Sequence, residues 1–278
     1  MKQKTLFISD LDGTLLQPNE RLSPFTRETL EDLINQGMTF SYATARSYAT
    51  SRICTAGLNA PIPLITHNGT FIVDNQTGRI LHKNVFEKDL ALKIYTLLSS
   101  YGISPIVYSL SRDKERFSFN WTDISDETRA FLLTRQGDAR ERKLFSNDDI
   151  LDGEVYYFAC IEKAEKLALP YNELLTEYHA EIYAVCQKDI YSGHQWLEIM
   201  PKSAGKANAA KTLKEMVGAD RLIVFGDGKN DIPLFEAGDE GYAVANADPQ
   251  LKKIASAIIG SNTENGVAKW LIEYWNTD

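Results

Sequence analysis

The chain has 278 residues, of which 44% are hydrophobic and 24% are charged, and its formal net charge is −8. These proportions are typical of a globular protein and exclude a disordered or fibrous one. Because 38 acidic residues outnumber 30 lysines and arginines, the chain lacks the basic excess of nucleic-acid binders, and we expect no nucleic-acid partner.

The N-terminal segment contains only a short apolar run before Ser9 and Asp10, which is too short for the core of a signal peptide. No stretch of the sequence is apolar for long enough to span a bilayer. Cys54, Cys160 and Cys186 are widely spaced and form no Cys-x-x-Cys pair, so neither a disulfide framework nor a zinc site is expected. We therefore expect a cytoplasmic protein without a membrane partner.

Apolar runs alternate with amphipathic segments at both ends of the chain. The first part predicts, in order, strand 4–9, helix 24–36, strand 38–43, helix 47–56 and strand 63–66. The last part predicts a helix near 204–216, strand 221–225, a helix from 231, strand 241–244 and helix 265–275. This alternation is typical of a parallel sheet covered by helices. We predict an α/β fold in which both ends of the chain form one Rossmann-like, doubly wound core.

The middle of the chain has a different pattern. Two short apolar runs flank residues 74–78 and predict a β-hairpin with a five-residue loop. Beyond residue 84 we predict helices 87–100, 124–135 and 163–178, and strands 103–108, 116–121, 154–161, 181–187 and 190–200. This order indicates an α+β domain, 84–189, inserted into a discontinuous core domain formed by 1–83 and 190–278.

Reactive side chains follow three of the predicted core strands. Asp10 ends the first strand, Thr44 follows the second, and Asp227 follows the strand at 221–225. In open α/β sheets, ligands bind just outside the carboxyl ends of the strands. We therefore expect these three strand ends to face one crevice.

The segment Asp10-Leu11-Asp12-Gly13-Thr14 places two carboxylates at the first of these strand ends. Two acids at this spacing can share a divalent cation, while one attacks an electrophile and the other transfers a proton. Gly13 allows the chain to turn sharply because it has no Cβ. Aspartate and glycine are also ordinary turn residues, so these five residues alone are equally compatible with a solvated turn.

Three further segments carry groups that suit a phosphate and a metal ion. Residues 226–231, Gly-Asp-Gly-Lys-Asn-Asp, add two carboxylates and an amide that could complete an oxygen shell for Mg²⁺, although Asp231 also suits a helix N-cap. Thr44-Ala45-Arg46-Ser47 lies where a strand passes into a helix and could bind an anion, or Thr44 could simply cap the helix. Lys206 begins a late helix; it is a surface residue unless nearby acids need a cation to offset phosphoryl charge.

These four segments, in this order, resemble the four motifs of the haloacid dehalogenase superfamily of phosphohydrolases, and most closely its Cof-type branch. The resemblance extends to residues 66–69, 241–247, 261–262 and 265–268. It covers both ends of the chain, and the middle only in length and element order. Two residues depart from the usual pattern: Ala45 stands where many members have glycine, and His67 replaces a residue that is commonly small.

The resemblance implies a mechanism and its residues. Asp10 would be the nucleophile that forms an aspartyl-phosphate, and Asp12 would act first as general acid and then as general base. Mg²⁺ would be bound by the carboxylates of Asp10 and Asp227 and by the backbone carbonyl of Asp12. Asp231 would contact these ligands without binding the metal itself. The phosphate-binding residues would be Leu11, Thr44, Ala45, Lys206 and Asn230.

The resemblance also implies that the inserted domain is an α/β cap of the second type (C2B), which selects the substrate. Candidate leaving-group contacts in it are Arg112, Arg116, Trp121 and His194, although residues of these types are more often structural or solvated. We predict a Mg²⁺-dependent phosphatase acting on small phosphorylated metabolites, sugar phosphates in particular. The sequence indicates neither the physiological substrate nor the oligomeric state.

Two alternatives remain open at this point. A sugar phosphomutase would share Asp12 and would require a bisphosphate. A receiver-like domain or a catalytically inactive regulator would be a binding module, but receiver domains are shorter, and an inactive relative should have lost at least one charged motif residue. The chain retains all of them.

Overall fold

The computed structural model describes residues 4–59, 61, 63–112, 114–189 and 192–277. The strands, in chain order, are β1 (Thr5–Asp10), β2 (Thr39–Ala43), β3 (Leu64–Thr66), β4 (Phe71–Val73), β5 (Ile80–Lys83), β6 (Ile106–Ser111), β7 (Lys114–Asn120), β8 (Glu141–Leu144), β9 (Glu154–Glu162), β10 (Ile182–Lys188), β11 (Gln195–Pro201), β12 (Arg221–Gly226), β13 (Glu240–Val244) and β14 (Ala257–Ile259). The helices are α1 (Pro24–Asn35), α2 (Tyr48–Cys54), α3 (Lys88–Ser100), α4 (Asp126–Leu133), α5 (Ala164–Tyr178), α6 (Lys206–Val217), α7 (Ile232–Ala237), α8 (Pro249–Ile254) and α9 (Gly266–Thr277).

The chain divides into two compact units. The first consists of Met1–Lys83 and Ala204–Asp278, and the second of Asn84–Ser203. Each unit contains one sheet and one cluster of buried apolar side chains. Within the described ranges, no helix combines the length and apolarity needed to cross a bilayer.

The first unit is built on an eight-stranded sheet in the order β14-β13-β12-β1-β2-β3-β4-β5. The pairs from β14 to β3 are all parallel, and the hairpin of β4 and β5 adds an antiparallel edge. Leu6-Phe7-Ile8 of β1 and Leu222-Ile223-Val224 of β12 are almost completely buried, because a parallel sheet is covered on both faces. The predicted parallel-sheet α/β core is confirmed.

Strand β1 lies between β12 and β2, which fixes where the polar strand ends meet. In the parallel register, Asp10 of β1 is paired with Ala43 of β2, and Ser9 with Phe225 of β12. The carboxyl ends of the three strands therefore lie side by side. The polar residues that follow them, Thr44 and Asp227, are brought to the same edge of the sheet as Asp10.

Helix α1 shows why its predicted bounds were close to the observed ones. The Ser23 hydroxyl accepts a hydrogen bond from the backbone N–H of Thr26 at 3.0 Å, and Pro24 occupies the first helical position. After the helix, Gly37 has a φ of +104°, a conformation that side chains disfavour. A serine cap, a proline start and a glycine stop are local signals, so the sequence alone predicts them.

The second unit contains a six-stranded sheet in the order β10-β11-β9-β6-β7-β8 and the helices α3, α4 and α5. All neighbouring strands are antiparallel except β7 and β8, which are parallel. The core of this unit includes Ile94, Phe158, Leu167 and Leu197. The predicted α+β character of the middle segment agrees with this arrangement.

The domain boundary predicted at 189/190 is wrong. Strand β11 pairs with both β9 and β10, so it belongs to the second unit, and the boundary lies between Ser203 and Ala204. An apolar run predicts a strand but does not specify which sheet the strand joins. The predicted start of this strand at 190 lies outside the described residues.

Three short elements of the structure are absent from the sequence-based prediction. Strand β8 has the sequence Glu-Arg-Lys-Leu, β14 is mostly exposed, and α8 buries only Leu251. None of them has the apolar periodicity on which the prediction depends. They form because neighbouring strands and helices provide hydrogen bonds and contacts, which is tertiary information.

Candidate active site

A buried lysine joins two carboxylates at the carboxyl edge of the first unit's sheet. Nζ of Lys206 donates hydrogen bonds to Oδ1 of Asp10 and, at 2.7 Å, to Oδ1 of Asp231. Asp10 and Lys206 are each 5% exposed, and Asp231 is fully buried. Because buried charges are stable only when paired, this ammonium is a structural counter-ion as well as a candidate ligand for an anion.

Three carboxylates converge beside this lysine. Asp10, Asp227 and Asp231 each provide an oxygen, and these oxygens all lie within 4.8 Å of one another. The hydroxyl of Thr14 donates to Oδ1 of Asp227 at 2.9 Å and helps to fix it. Carboxylate oxygens are the ligands that hard divalent cations prefer, so the cluster fits Mg²⁺ by its donor chemistry.

Asp231 supports the cluster from within its own loop. Its Oδ2 accepts hydrogen bonds from the backbone N–H groups of Asp227 and Gly228, both at 3.1 Å, while its Oδ1 binds Lys206. Asp231 occupies the N-cap position of α7 without a side-chain hydrogen bond to that helix, and its bond to the N–H of Gly228 caps the short helical turn Lys229–Asp231 instead. Both of its oxygens are used to hold other parts of the site.

Glycines provide the space that this acidic arrangement needs. Gly13 has a φ of +78°, and a Cβ there would lie 2.8 Å from Cγ of Asp227. A Cβ on Gly226 would lie 2.8 Å from Oδ2 of Asp231. Any side chain at either position would displace a carboxylate, which is the physical reason for glycine at both.

Burial changes the proton affinities of the charged groups. Desolvation raises the pKa of Asp10, and the positive charge of Lys206 opposes that effect. Desolvation, with the negative charge of Asp231, raises the pKa of Asp227 to about 7. Burial acts to lower the pKa of Lys206, but the two carboxylates outweigh it and raise the pKa above its ordinary value. The site therefore holds more negative charge than its lysine compensates, which favours binding of a cation.

The turn after β2 brings Thr44 to the same edge, fully buried. The backbone N–H of Thr44 donates to the carbonyl of Ile65 at 3.1 Å, so this N–H group is already bonded within the sheet. The Thr44 hydroxyl accepts from the backbone N–H of Arg46 at 3.1 Å and retains a hydrogen that it can donate. Helix α2 is capped by Ser47 and not by Thr44.

The carboxylate of Asp12 is not part of the three-acid cluster. Arg46 binds it through Nε, 2.9 Å from Oδ2, and through Nη2, 2.6 Å from Oδ1. The sequence-based prediction includes Arg46 only as part of the turn and gives it no role. The signal that could have identified it is an arginine two residues after Thr44, at an edge where acids were already expected.

Residues that follow β13 and β14 form hydrogen bonds with the two acid-bearing loops. Nδ2 of Asn246 donates to the carbonyl of Gly13, and the backbone N–H of Asp248 donates to the carbonyl of Asp227, each at 2.7 Å. Nδ2 of Asn262 donates to the carbonyl of Leu16 at 2.9 Å. These bonds fix the backbone that carries Asp10, Asp12 and Asp227.

The remaining predicted phosphate-binding residues lie near the same loops. Leu11 follows Asp10 directly and is buried, Ala45 follows Thr44 and is half-buried, and Asn230 lies half-buried in the loop before Asp231. In the first unit, the structure thus places every predicted site residue at the end of β1, on the loops that follow β1, β2 and β12, or at the start of α6.

The candidate leaving-group contacts all lie in the second unit. Arg112 is exposed and Arg116 lies 3.9 Å from Asp152. The ring of Trp121 has Arg129 at 4.3 Å and Lys143 at 3.8 Å from its centroid. The carbonyl of His194 accepts from the backbone N–H of Asp189 at 2.8 Å in the β10–β11 turn. Their roles stay predictions.

Comparisons with known proteins show which family the sequence resembles. A family model described as haloacid dehalogenase-like hydrolase matches residues 7–271. The 5-amino-6-(5-phospho-D-ribitylamino)uracil phosphatase YitU of Bacillus subtilis is 25% identical over 292 residues, covering 99% of this chain and 100% of that protein. The HMP-PP phosphatase of Serratia proteamaculans is 26% identical over 274 residues, covering 96% of this chain and 93% of that protein.

Solved structures share the fold. A haloacid dehalogenase-like hydrolase from Bacteroides thetaiotaomicron superimposes with a TM-score of 0.79 and 23% sequence identity, covering 98% of this chain and all of that one. The similarity therefore extends through both units, including the segment 84–203 for which the sequence offered only element order.

Proposed function

The chain belongs to the haloacid dehalogenase-like hydrolase family, and we propose that it is a Mg²⁺-dependent phosphatase that forms an aspartyl-phosphate on Asp10. Its substrates would be small phosphorylated metabolites, sugar phosphates in particular. The observation that carries the proposal is that Asp10 pairs with the buried Lys206 and has an oxygen within 4.8 Å of oxygens of Asp227 and Asp231. The general class of activity, phosphoric monoester hydrolysis, follows from the family and from its phosphatase relatives.

In the proposed reaction, a carboxylate oxygen of Asp10 attacks phosphorus and the bond to the leaving-group oxygen breaks. Asp12 donates a proton to that oxygen, and then accepts one from the water that hydrolyses the aspartyl-phosphate. Lys206 favours the ionised form of Asp10, which is the form that can attack. Release of phosphate restores both aspartates.

The acidic cluster would hold Mg²⁺ through Asp10, Asp227 and the backbone carbonyl of Asp12, and Asp231 would keep the loop of Asp227 in place. When bound, Mg²⁺ supplies positive charge that offsets the negative charge of the phosphoryl oxygens. The excess of carboxylates over lysine at this edge supports the assignment, since it leaves negative charge for a cation to balance.

The phosphoryl oxygens would be bound by several groups around Asp10. The Thr44 hydroxyl and the Lys206 ammonium are the side-chain donors, and the amide of Asn230 would assist them. Backbone N–H groups of Leu11 and Ala45 would complete the set. Preorganised donors of this kind are usually the largest contribution to such catalysis, because they need no rearrangement during the reaction.

Relatives support a small phosphorylated substrate. The name of the Bacillus subtilis relative specifies a phosphate on a ribityl chain, which is a sugar-like alcohol. We propose that this chain likewise acts on the phosphate of a polyhydroxylated alcohol, and that the second unit serves as the cap that selects it.

The proposed activity predicts hydrolysis of p-nitrophenyl phosphate in the presence of Mg²⁺ and no hydrolysis after chelation by EDTA. A panel of phosphorylated sugars, sugar alcohols and nucleotides, assayed by phosphate release, would then rank natural-like substrates. Turnover that required a sugar bisphosphate and released no phosphate would favour the phosphomutase alternative. Absence of Mg²⁺-dependent hydrolysis with every compound would contradict the proposal.

The raised pKa of Asp227 predicts that Mg²⁺ binds more weakly at acidic pH. With a pKa of about 7 in the metal-free protein, Asp227 is mostly protonated at pH 6 and mostly ionised at pH 8. A proton must leave before the carboxylate can bind metal, so the affinity should rise roughly tenfold between these values. Isothermal titration calorimetry with MgCl₂ at both values measures it.

Asp227→Asn is the control for this pH dependence. The variant should bind Mg²⁺ more weakly at both pH values and should lose the part of the difference that the titration of Asp227 contributes. Equal affinities at pH 6 and pH 8 in the unmodified chain would show that Asp227 does not limit binding.

A further inference from the structure

The largely buried Arg46 forms hydrogen bonds with the carboxylate of Asp12, the side chain that we propose as the general acid and base. Nε of Arg46 lies 3.1 Å from Oδ1 and 2.9 Å from Oδ2 of Asp12, and Nη2 lies 2.6 Å from Oδ1. The side chain of Arg46 is 15% exposed and that of Asp12 is 25% exposed. A guanidinium that contacts both oxygens fixes the plane of a carboxylate as well as its position.

Arg46 is itself held by its backbone. Its N–H donates to the hydroxyl of Thr44 at 3.1 Å, and its carbonyl accepts from the N–H of His67 at 3.0 Å. The turn after β2 therefore sets the point from which the guanidinium reaches across to the loop after β1. The orientation of Asp12 thus depends on a residue of a different strand end.

A second acid binds the same guanidinium. Nη2 of Arg46 also donates to Oε2 of Glu20 at 2.7 Å. Glu20 has a φ of +58°, a left-handed conformation that costs energy in a residue with a side chain and is often retained at functional sites. Its N–H donates to the carbonyl of Gln17 at 2.9 Å, which stabilises this turn. Glu20 thus binds the same nitrogen, Nη2, that binds Oδ1 of Asp12.

We propose that Arg46 is a positioning residue that aims the carboxylate of Asp12 for proton transfer, and that Glu20 holds Arg46 in place. The inference rests on the proposed function, because it assigns Asp12 the role of proton carrier. Proton transfer requires a donor within about 2.6–3.2 Å of the accepting oxygen. The contacts of Arg46 with both oxygens of Asp12 hold this carboxylate in one orientation.

The proposal predicts an effect that depends on the leaving group. p-Nitrophenol is a much stronger acid than phenol, so p-nitrophenolate departs with little help from a proton, whereas phenolate needs one. Arg46→Ala should therefore lower kcat on phenyl phosphate by about 10²-fold, the lower end of the usual contribution of general acid catalysis, and on p-nitrophenyl phosphate by less than about tenfold. The two substrates have nearly the same size, which limits differences in binding.

Two conservative variants test the contact. Arg46→Lys keeps the charge but cannot contact both oxygens, so its loss on phenyl phosphate should lie between those of the wild type and Arg46→Ala. Glu20→Gln should produce a smaller loss in the same direction. Arg27→Ala, which removes a partly exposed arginine of α1 that lies 3.3 Å from Glu28, is the matched control and should leave both rates unchanged.

A double-mutant cycle tests whether Arg46 acts through Asp12. If it does, Arg46→Ala should cause no further loss on phenyl phosphate in an Asp12→Asn background. The thermal unfolding temperature of Arg46→Ala and its Mg²⁺ affinity, measured by calorimetry, should stay near the wild-type values. Unchanged values would show that the substitution disrupts neither the fold nor the metal site.

The outcomes separate this inference from the proposed function. Wild-type hydrolysis that is lost in Asp10→Asn supports the proposed function, whatever Arg46 does. Equal losses on both aryl phosphates in Arg46→Ala, or a further loss in the Asp12→Asn background, would overturn the positioning role alone. Absence of Mg²⁺-dependent wild-type activity would overturn both.

Discussion

Replacement of Asp10 by asparagine is expected to lower phosphate release by roughly 10⁴-fold or more, because it removes the only group that we propose as the nucleophile. The amide is nearly the same size as the carboxylate, so the surrounding side chains need not move. Lys206 keeps its bond to Asp231 at 2.7 Å, and the fold should survive. The rate on p-nitrophenyl phosphate with saturating Mg²⁺ measures the effect.

A second measurement on the same variant tests the covalent step. Acid quenching of the wild type during turnover, followed by mass spectrometry of the intact chain, should detect a phosphorylated fraction that Asp10→Asn lacks. Asp148→Asn, which changes an exposed aspartate of the second unit, serves as the control and should behave as the wild type. Retention of activity in Asp10→Asn would refute the aspartyl-phosphate mechanism.

Replacement of Lys206 by methionine should affect stability and activity together. The change leaves the buried carboxylates of Asp10 and Asp231 without their shared counter-ion. Breaking a buried ion pair from one side typically costs about 3–5 kcal/mol, because the remaining charge stays desolvated. We expect a loss of that size in the free energy of unfolding without metal, and a fall in kcat of about 10²–10³-fold from the lost phosphoryl contact.

Chemical denaturation without Mg²⁺ and steady-state kinetics with Mg²⁺ measure the two effects separately. Lys211 lies at an exposed position on the same helix, α6. Lys211→Met should therefore change neither the free energy of unfolding nor kcat appreciably. If Lys206→Met were as stable as Lys211→Met, the charges of Asp10 and Asp231 would have to be compensated by other groups.

Much of the fold could be predicted because its signals are local. The alternation of β1, α1, β2, α2 and β3 follows from the spacing of apolar residues, and the ends of α1 follow from its serine, proline and glycine. The assignment of β11 could not be predicted in this way. Its sequence predicts a strand but does not indicate which strands it pairs with. In the structure it forms backbone hydrogen bonds with β9 and β10 of the second unit.

The site shows the same division. Asp10, Thr44 and Asp227 could be predicted as neighbours because parallel strands present their carboxyl ends at one edge. The hydrogen bonds from Arg46 to Asp12, and those that both oxygens of Asp231 accept within the site, could not be predicted from the sequence. These contacts depend on side-chain directions, which residue spacing does not specify.

The sequence by itself determined that this chain has a parallel-sheet core with acids, a threonine and a lysine at its strand and helix ends, since strand breaks and turn residues are local properties. Only the tertiary structure decided which of these groups meet. Lys206 reaches Asp10 across 196 residues of chain, and Arg46 binds Asp12, whose carboxylate is not part of the acidic cluster. Such pairings form because removing a charged side chain from water costs free energy. A buried charge is therefore stable only beside an opposite charge, whatever the distance between the two residues in sequence.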